Sequence, residues 1–371
     1  MDDHIIGLMV KPDHPFVISE ALEDPEWDAF VASVESGHHV QTSLWAQIKY
    51  TLGWKPLRII VKHPSGIVAG LQMLVRSYPL LGKVGYVPKG PIFVGEDTEL
   101  INSIISFSKD ECQSRKINIL VMQPPNNADF IPDLLIQNHF QRSSMELAPT
   151  ASIVIDLASD EEILFSQIHK TTRNNIRFGL QKGLTIHEGS IDSLRSFYDL
   201  HIYTSQRQNF LPYPYQYFEA LQNILGPKGY FQLLFVEYDH QLVSTLLLIP
   251  FRDTVITKLC GWSGQYEKLN PNKVLYWAAI QWAKSHGYRF LDLEGINREG
   301  ASLVLQGESL PEKLMHSPDH MKYKFGGKVM LYPEAYDYVI YKPYRWIIRK
   351  LDNSERNHSL VSKTIEFLRK R

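Results

Sequence analysis

Residues 229–296 decide the fold of this chain and read GYFQLLFVEYDHQLVSTLLLIPFRDTVITKLCGWSGQYEKLNPNKVLYWAAIQWAKSHGYRFLDLEGI. Three apolar runs of strand length open the stretch, and short polar turns containing Asp, His and Arg separate them. These runs are residues 232–236, 242–250 and 254–259. The pattern is typical of three consecutive antiparallel strands.

A helix and a further strand complete this unit. Asn270-Pro271 opens a segment in which apolar side chains recur three and four residues apart, which predicts a helix with one buried face. Gly287 supplies the left-handed residue that commonly ends a helix. Residues 290–293 then form the closing strand, so the unit has the order strand–strand–strand–helix–strand.

The same order of elements occurs nearer the start of the chain. Its members are apolar runs at residues 57–61, 67–75, 84–87 and 117–122 and a helical stretch at residues 100–114. The repetition predicts an α/β (α+β) fold with two similar domains, each a mixed sheet flanked by helices, and we expect function in a cleft between them. The expected bounds are residues 1–150 and 151–333, followed by a basic C-terminal segment, residues 334–371.

Length and composition limit the class of protein. At 371 residues the chain can form two separate cores, and its formal net charge of -1 excludes a uniformly basic nucleic-acid coat. Cys112 and Cys260 are too few for a disulfide framework or a zinc site, so we expect a reduced, cytoplasmic protein without a metal. No apolar run reaches the roughly 20 residues that span a bilayer. Membrane contact is therefore expected to be peripheral, at the inner face of the cell membrane.

Several common catalytic signatures are absent. The sequence has no phosphate-binding loop, no HExxH motif and no paired cysteines, and Gly261-Trp262-Ser263-Gly264 lacks the spacing of a nucleophile elbow. The repeated unit is instead similar to GNAT N-acyltransferases, in which an amine attacks an activated acyl group. Residues 89–96 and 261–273 lack the glycine-rich turn of CoA-binding members, which weakens an acetyl-CoA interpretation.

A more specific resemblance rests on short motifs that follow one another along the chain. They are VQTSLWAQIK at residues 40–49 with Gly53-Trp54, Lys89-Gly90-Pro91, the basic helix at residues 169–183, LDLEGI at residues 291–296, and MKYKFGG at residues 321–327. In this order they resemble the motifs of the FemABX aminoacyltransferases, which build peptidoglycan bridges from aminoacyl-tRNA. The chain lacks a coiled-coil insertion, so its layout is similar to the compact FemX type.

This resemblance implies a fold and a reaction. The fold would be two tandem GNAT-like acyltransferase domains, with the extreme C-terminus returning to the first. In the reaction, an amine of a peptidoglycan precursor peptide attacks the ester carbonyl of an aminoacyl-tRNA, forming an amide and releasing the tRNA. The ester is already activated, so no metal or organic cofactor is expected. The acceptor would be a lipid-linked or UDP-linked muropeptide.

Three residues are candidates for catalysis. The resemblance places Lys322 beside the tRNA terminus, where its charge would stabilise the attacked carbonyl; on a strand, alternation with Lys324 would instead leave both lysines solvated. Asp292 and Glu294 lie two apart on a predicted strand and therefore on one face, at the carboxyl end where α/β sheets bind ligands. One of them could accept the proton of the attacking amine, and Glu294 could equally cap a turn.

The substrate-binding candidates come from three parts of the sequence. The resemblance makes Lys49 a ligand of the acceptor phosphate, although a lysine there is ordinarily a solvated helix end. Tyr213 stands where the family has a phosphate-contacting Arg, and Val94 where it has an Asp, so a different acceptor is an open alternative. The aromatic cluster of Phe210, Tyr213, Tyr215, Tyr217 and Phe218 could stack on a sugar or base, or pack in the core. The full set is Trp45, Lys49, Arg207, Tyr213, Tyr217 and Trp262.

Basic residues in two segments are candidates for tRNA binding. Lys170, Arg173 and Arg177 are three and four residues apart, which aligns them on one helical face. From residue 343 onward eight basic side chains, among them Arg349 and Lys350, stand against three acidic ones, a local excess of +5. Such segments contact RNA phosphates or form ordinary solvated faces.

Two other classes of function remain open at this stage. One is an acyl-CoA-dependent GNAT acyltransferase that acts on an envelope sugar or peptide. The other is a non-catalytic RNA- or envelope-binding protein. Thermal stabilisation by CoA but not by a muropeptide would favour the first, and RNA binding without either would favour the second.

Overall fold

The computed structural model describes residues 9–11, 14–78, 82–143, 148–315 and 317–341. Its contacts divide the chain into two compact units. Unit 1 holds the described residues up to Ala148 together with those from Tyr332 onward, and unit 2 is Pro149–Leu331. Each unit is a mixed sheet flanked by helices, which confirms the predicted fold class.

Before Ala148, unit 1 is built from apolar strands and short capped helices. The elements are β1 (Met9–Lys11), β2 (His14–Ser19), α1 (Pro25–Ser33), α2 (Ser43–Tyr50), β3 (Lys55–His63), β4 (Gly66–Tyr78), β5 (Gly82–Val87), β6 (Ile92–Phe93), α3 (Thr98–Ser114), β7 (Ile117–Met122), α4 (Ile131–Gln137) and β8 (Gln141–Arg142). The side chains of Asp24, Thr42 and Asp97 accept backbone N–H groups at the starts of α1, α2 and α3. The caps fix where these helices begin.

Unit 2 contains the stretch from which the fold was predicted. Its elements are β9 (Ala151–Asp156), α5 (Glu161–Gln167), α6 (Lys170–Gln181), β10 (Thr185–Glu188), α7 (Leu194–Gln208), α8 (Tyr215–Leu225), β11 (Gln232–Tyr238), β12 (Gln241–Phe251), β13 (Thr254–Trp262), α9 (Pro271–Ser285), β14 (Phe290–Asp292), α10 (Arg298–Leu305), α11 (Glu312–Met315), α12 (Pro318–Tyr323) and β15 (Lys328–Leu331). The predicted strands, helix and closing strand of this stretch are confirmed. On α9, Val274, Leu275, Ala278 and Ala279 are buried against the sheet, as their spacing indicated.

The sheet of unit 1 is completed by a late segment of the chain. Its strand order is β1-β2-β3-β4-β5-β7-β16-β8, where β16 is Tyr336–Val339, and β6 pairs with β4. β16 lies between β7 and β8 and is antiparallel to both. The chain therefore traverses the whole of unit 2 before it supplies this strand.

The sheet of unit 2 has the order β10-β11-β12-β13-β14-β9-β15. Its parallel strands β13 and β14 are hydrogen-bonded over a short stretch only. β13 and β14 pair only where Thr254–Ile256 faces Phe290–Asp292. β13 then continues to Trp262, whereas the chain after Asp292 stays on β9 through Leu293 N–H to Ile153 O (2.9 Å). A gap therefore opens beside the second half of β13.

The equivalent parallel pair of unit 1 stays closed. β5 and β7 pair as far as Val87 opposite Met122, and Gly90 N–H then donates to Gln123 O at 2.9 Å. Ligands of α/β sheets bind where strands part at their carboxyl ends. A ligand site is therefore expected at the gap of unit 2.

No described helix combines the length and the apolar character required for a membrane span.

Candidate functional site

Lys322 lies at the carboxyl end of β14 and is held by backbone carbonyls. Its Nζ donates to Glu294 O at 2.6 Å and to Gly295 O at 2.7 Å. Both carbonyls belong to the turn that follows β14, in which Glu294 has φ +26° and Gly295 has φ +77°. Such angles are unfavourable for a residue with a side chain, and strained backbone of this kind is found at functional sites. The turn thus presents two adjacent acceptors to one ammonium group.

The location of Lys322 differs from the sequence interpretation. Residues 318–323 form the short helix α12, and the following strand begins only at Lys328. The strand alternation of Lys322 with Lys324 is therefore wrong. A six-residue helix that starts at Pro318, after the N-cap Ser317, leaves no periodic signal that would separate it from a strand.

Acidic groups surround the Lys322 ammonium. Removal of water lowers the pKa of Lys322, and the charges of Asp319, Glu294 and Asp292 oppose this and raise it. The net direction is a pKa below the ordinary value of 10.5. Cys260 of β13 is near enough to contribute as well, and burial raises the pKa of its thiol to about 11. Lys322 is thus a partly desolvated cation inside a carboxylate-rich gap.

The two predicted carboxylates are both engaged. Asp292 accepts a hydrogen bond from Ser152 Oγ and another from the backbone N–H of Glu294, at 2.8 Å in the second case. Glu294 Oε1 lies 2.7 Å from Lys258 Nζ. β14 ends at Asp292, so Glu294 sits in the turn and the expected common strand face is wrong. Its left-handed φ, which no sequence rule for a glutamate predicts, explains the difference.

Arg207 and Trp262 come together at the end of β13. The Arg207 guanidinium lies 4.4 Å from the centroid of the Trp262 ring and donates to Trp262 O at 3.1 Å. Desolvation lowers the pKa of Arg207. Two of the predicted substrate-binding residues thus form one cation–π pair beside the gap.

Tyr213 and Tyr217 form a second aromatic group. Their rings stack with centroids 4.3 Å apart, and Tyr217 also packs edge-on against Phe218. Tyr217 is only 2% exposed, so its ring is a core element rather than a binding surface. Of the two readings given for these rings, core packing therefore holds for Tyr217, whereas Tyr213 is half-buried above it.

The unit 1 candidates lie one turn apart on α2. Lys49 Nζ is 5.5 Å from the centroid of the Trp45 ring, which is itself buried. Lys49 stands in the last turn of the helix, where a cation is favoured by the helix dipole. The ring fixes the ammonium by a cation–π contact and leaves it partly accessible.

Two of the three basic side chains on α6 make contacts within the protein. Arg173 Nη1 donates to Ser166 O and Ile168 O, both at 2.5 Å, and so caps the end of α5. The Arg177 guanidinium lies 4.9 Å from the Phe165 ring. Lys170 is exposed. Binding of tRNA by this face stays a prediction, and Arg349 and Lys350 lie outside the described residues.

A lysine pair formed by Lys273, in the first turn of α9, and Lys324, which follows α12, was not found from the sequence. Burial and the charge of Lys324 lower the pKa of Lys273, so the two ammonium groups repel each other. Lys273 Nζ donates to Asn270 Oδ1 at 2.7 Å. The pair is 51 residues apart along the chain, and only the tertiary fold of unit 2 brings it together. Within the described part of the chain no cluster of His, Cys, Asp and Glu could hold a metal ion.

Two family models match parts of this chain. The FemAB family matches residues 22–129, and the acetyltransferase (GNAT) domain matches residues 167–300. Among curated proteins, the lipid II:glycine glycyltransferase of Staphylococcus aureus (strain MRSA252) is 24% identical over 230 residues, which is 59% of this chain and 54% of that protein. The chain thus spans about half the length of the curated relatives it matches.

Solved structures agree on the fold. FemX superposes with a TM-score of 0.75 at 18% identity, covering 87% of this chain and 98% of that one. A tandem GNAT protein from the clavulanic acid biosynthesis pathway has a TM-score of 0.54 at 10% identity, with 88% and 98% covered. Fold and site define a protein with GNAT-like domains. Together with the FemAB match, they make the chain similar to FemABX-type proteins.

Proposed function

We propose that this protein transfers an amino acid from aminoacyl-tRNA to an amine in the stem peptide of a peptidoglycan precursor. The observation that carries the proposal is the ammonium of Lys322 at the gap between β13 and β14. The similarity of the chain to a lipid II:glycine glycyltransferase supports a peptidoglycan precursor as the acceptor. The reaction forms one amide bond, breaks one ester bond and releases the tRNA.

The hydrogen bonds of Lys322 suit this chemistry. An ammonium carries three N–H donors, and two of them are used by Glu294 O and Gly295 O. The remaining donor has no partner among the described residues and is available for the oxyanion that forms when the amine attacks the ester carbonyl. Preorganised donors of this kind stabilise the transition state more than the ground state.

The lysine pair of unit 2 supports an anionic donor substrate. Lys273 and Lys324 repel each other, and a bound phosphate would remove that cost. A tRNA terminus brings phosphates next to the ester that Lys322 would polarise. Lys49, in unit 1, would bind a phosphate of the acceptor, which both lipid-linked and UDP-linked muropeptides carry.

A second candidate function is acyl-CoA-dependent N-acylation of an envelope sugar or peptide. The match of residues 167–300 to the acetyltransferase (GNAT) domain favours it, because those residues contain the gap beside β13. CoA also carries phosphates that the lysine pair could bind. The two candidates share an amine nucleophile and differ in the donor.

A reconstituted reaction separates these candidates. The purified protein is incubated with a set of labelled aminoacyl-tRNAs or with acetyl-CoA, each with a lipid-linked or a UDP-linked muropeptide, and products are identified by mass spectrometry. We expect amide formation from one or a few aminoacyl-tRNAs. Product from acetyl-CoA alone would replace the proposal by the second candidate, and RNA binding without product from any donor would leave a binding protein.

A further inference from the structure

Lys258 occupies an irregular position in β13. Leu259 pairs with Leu247, whereas Thr257 pairs with Leu248, so Lys258 is the extra residue of a β-bulge. A bulge changes the direction in which a side chain points, and bulges are common beside active sites. This one comes two residues after Ile256, the last residue of β13 that pairs with β14.

The bulged lysine reaches across the gap to the turn after β14. Lys258 Nζ lies 2.7 Å from Glu294 Oε1, and their side chains are only 17% and 13% exposed. A charge pair so far removed from water interacts more strongly than a surface pair, and loss of one member leaves the other uncompensated. The contact therefore constrains Glu294.

Glu294 in turn controls the surroundings of Lys322. Its backbone has the unfavourable φ of +26°, and its carbonyl oxygen is one of the two that hold Lys322 Nζ. The Glu294 side chain faces Lys258 and its carbonyl faces Lys322. One residue thus links the two lysines.

We propose that Lys258 is a positioning residue, which holds the turn after β14 through Glu294 so that the carbonyls of Glu294 and Gly295 keep Lys322 in place. The catalytic meaning of that position rests on the proposed function, whereas the coupling of Lys258 to Lys322 does not.

The charges around Lys322 determine what loss of Lys258 does. The ammonium faces Asp319 of α12, Asp292 of β14, Glu294 of the turn and Cys260 of β13. Without Lys258 the Glu294 carboxylate has no cation at 2.7 Å and can attract Lys322 instead. This attraction raises the pKa of Lys322 and draws its Nζ away from the carbonyls of Glu294 and Gly295.

The test compares Lys258→Met, which removes the charge, with Lys258→Arg, which keeps it. The titration of the Lys322 amine is measured by trace acetylation with acetic anhydride across pH, followed by mass spectrometry of the peptide that contains it. We expect the midpoint to rise by at least half a pH unit in Lys258→Met and to stay at the wild-type value in Lys258→Arg. Lys268→Met, at an exposed lysine of the same unit, is the matched control.

A second readout is steady-state kinetics of the transfer reaction. Lys258→Met should lower kcat tenfold or more with little change in the KM of either substrate, and Lys258→Arg should restore most of it. If Lys258→Met does not fold, Lys258→Gln retains a neutral hydrogen bond to Glu294 and takes its place.

An unchanged Lys322 titration in the folded Met or Gln variant would overturn the inference, because it would mean that the Lys258–Glu294 pair only stabilises the fold. The labelling needs no turnover. If the wild-type protein transfers no amino acid, the proposed function fails while the titration still decides the role of Lys258.

Discussion

Lys322 takes its position from backbone atoms 27 and 28 residues away in the sequence. The motif at residues 321–327 marks Lys322 as a candidate for catalysis. It does not show which groups hold the side chain, because those groups lie elsewhere in the sequence. The contacts supply the missing part: two carbonyls fix the amine, and three carboxylates favour its charged form. The consequences for activity are specific to this residue.

Replacement of Lys322 should remove stabilisation of the transition state. Lys322→Ala is expected to lower kcat by 10²–10³, the effect of about 2.7–4 kcal/mol for one oxyanion donor. Lys324→Ala should leave kcat at saturating donor near the wild-type value, because the amine that donates to Glu294 O and Gly295 O is that of Lys322. Single-turnover rates of both variants provide the measurement, and equal, small losses would argue against the catalytic role.

The activity should fall at alkaline pH. The pKa of Lys322 is lowered by desolvation below 10.5, so its ammonium is present below that lowered pKa and is lost as pH rises through it. We expect an alkaline limb in the profile of kcat against pH, at a lower pH than an exposed lysine would give. Lys322→Arg keeps its charge throughout, so the limb should disappear in that variant. A limb that persists there belongs to another group.

Lys49 should affect the acceptor rather than the chemistry. Loss of one charge-assisted hydrogen bond costs about 1.5–3 kcal/mol, so Lys49→Ala should raise the acceptor KM about tenfold or more with a smaller change in kcat. Lys55→Ala, at an exposed lysine of the same unit, serves as the control. An acceptor KM equal to that of the control would remove Lys49 from the phosphate site and favour a rebuilt site, as the Tyr213 departure also suggests.

At the scale of elements, regular strands and long helices were predictable, whereas the site geometry was not. β7 (Ile117–Met122) was predicted to the residue, because it is an apolar run with polar or turn-forming residues on both sides. The bulge at Lys258 has no sequence signature, because one extra residue does not interrupt the apolar run from which the strand is predicted. α12 is too short for periodicity to identify. The predicted strands β13 and β14 border the site, whereas the bulge and α12, which place Lys258 and Lys322 there, were missed.

The packing of α6 gives a prediction about stability. A Cβ on Gly179 would lie 2.5 Å from the carbonyl oxygen of Leu269, a backbone atom that cannot move aside easily. Gly179→Ala should therefore destabilise the protein by about 1–3 kcal/mol, the usual cost of overpacking, in chemical denaturation. Gly226→Ala is the matched control, because a Cβ there meets nothing within 4 Å. Equal stability of the two variants would show that α6 is free to shift.

At the scale of the whole molecule, the net charge of -1 gives no general attraction for RNA. Under the proposed function, affinity for tRNA would then come from local cations, and Lys273 and Lys324 of unit 2 are candidates among the described residues. Lys273→Glu/Lys324→Glu should weaken tRNA binding and reduce the slope of log K against log salt by roughly one to two, given about 0.7–0.9 for each neutralised phosphate. Filter binding across salt concentrations measures both quantities.

The control for this measurement is charge reversal elsewhere. Lys83→Glu/Lys116→Glu alters the net charge equally at exposed positions of unit 1. It should leave the slope unchanged. If both double variants change the slope to the same extent, tRNA responds to overall charge and the lysine pair is not a binding site.

The insertion of β16 between β7 and β8 has a consequence for synthesis on the ribosome. β7 and β8 emerge early, but the strand that joins them emerges only after the whole of unit 2 has been translated. During that interval β7 carries an unpaired edge, the kind of edge that invites pairing with other chains. The nascent protein thus passes through a stage in which unit 2 can already fold while the sheet of unit 1 still lacks β16.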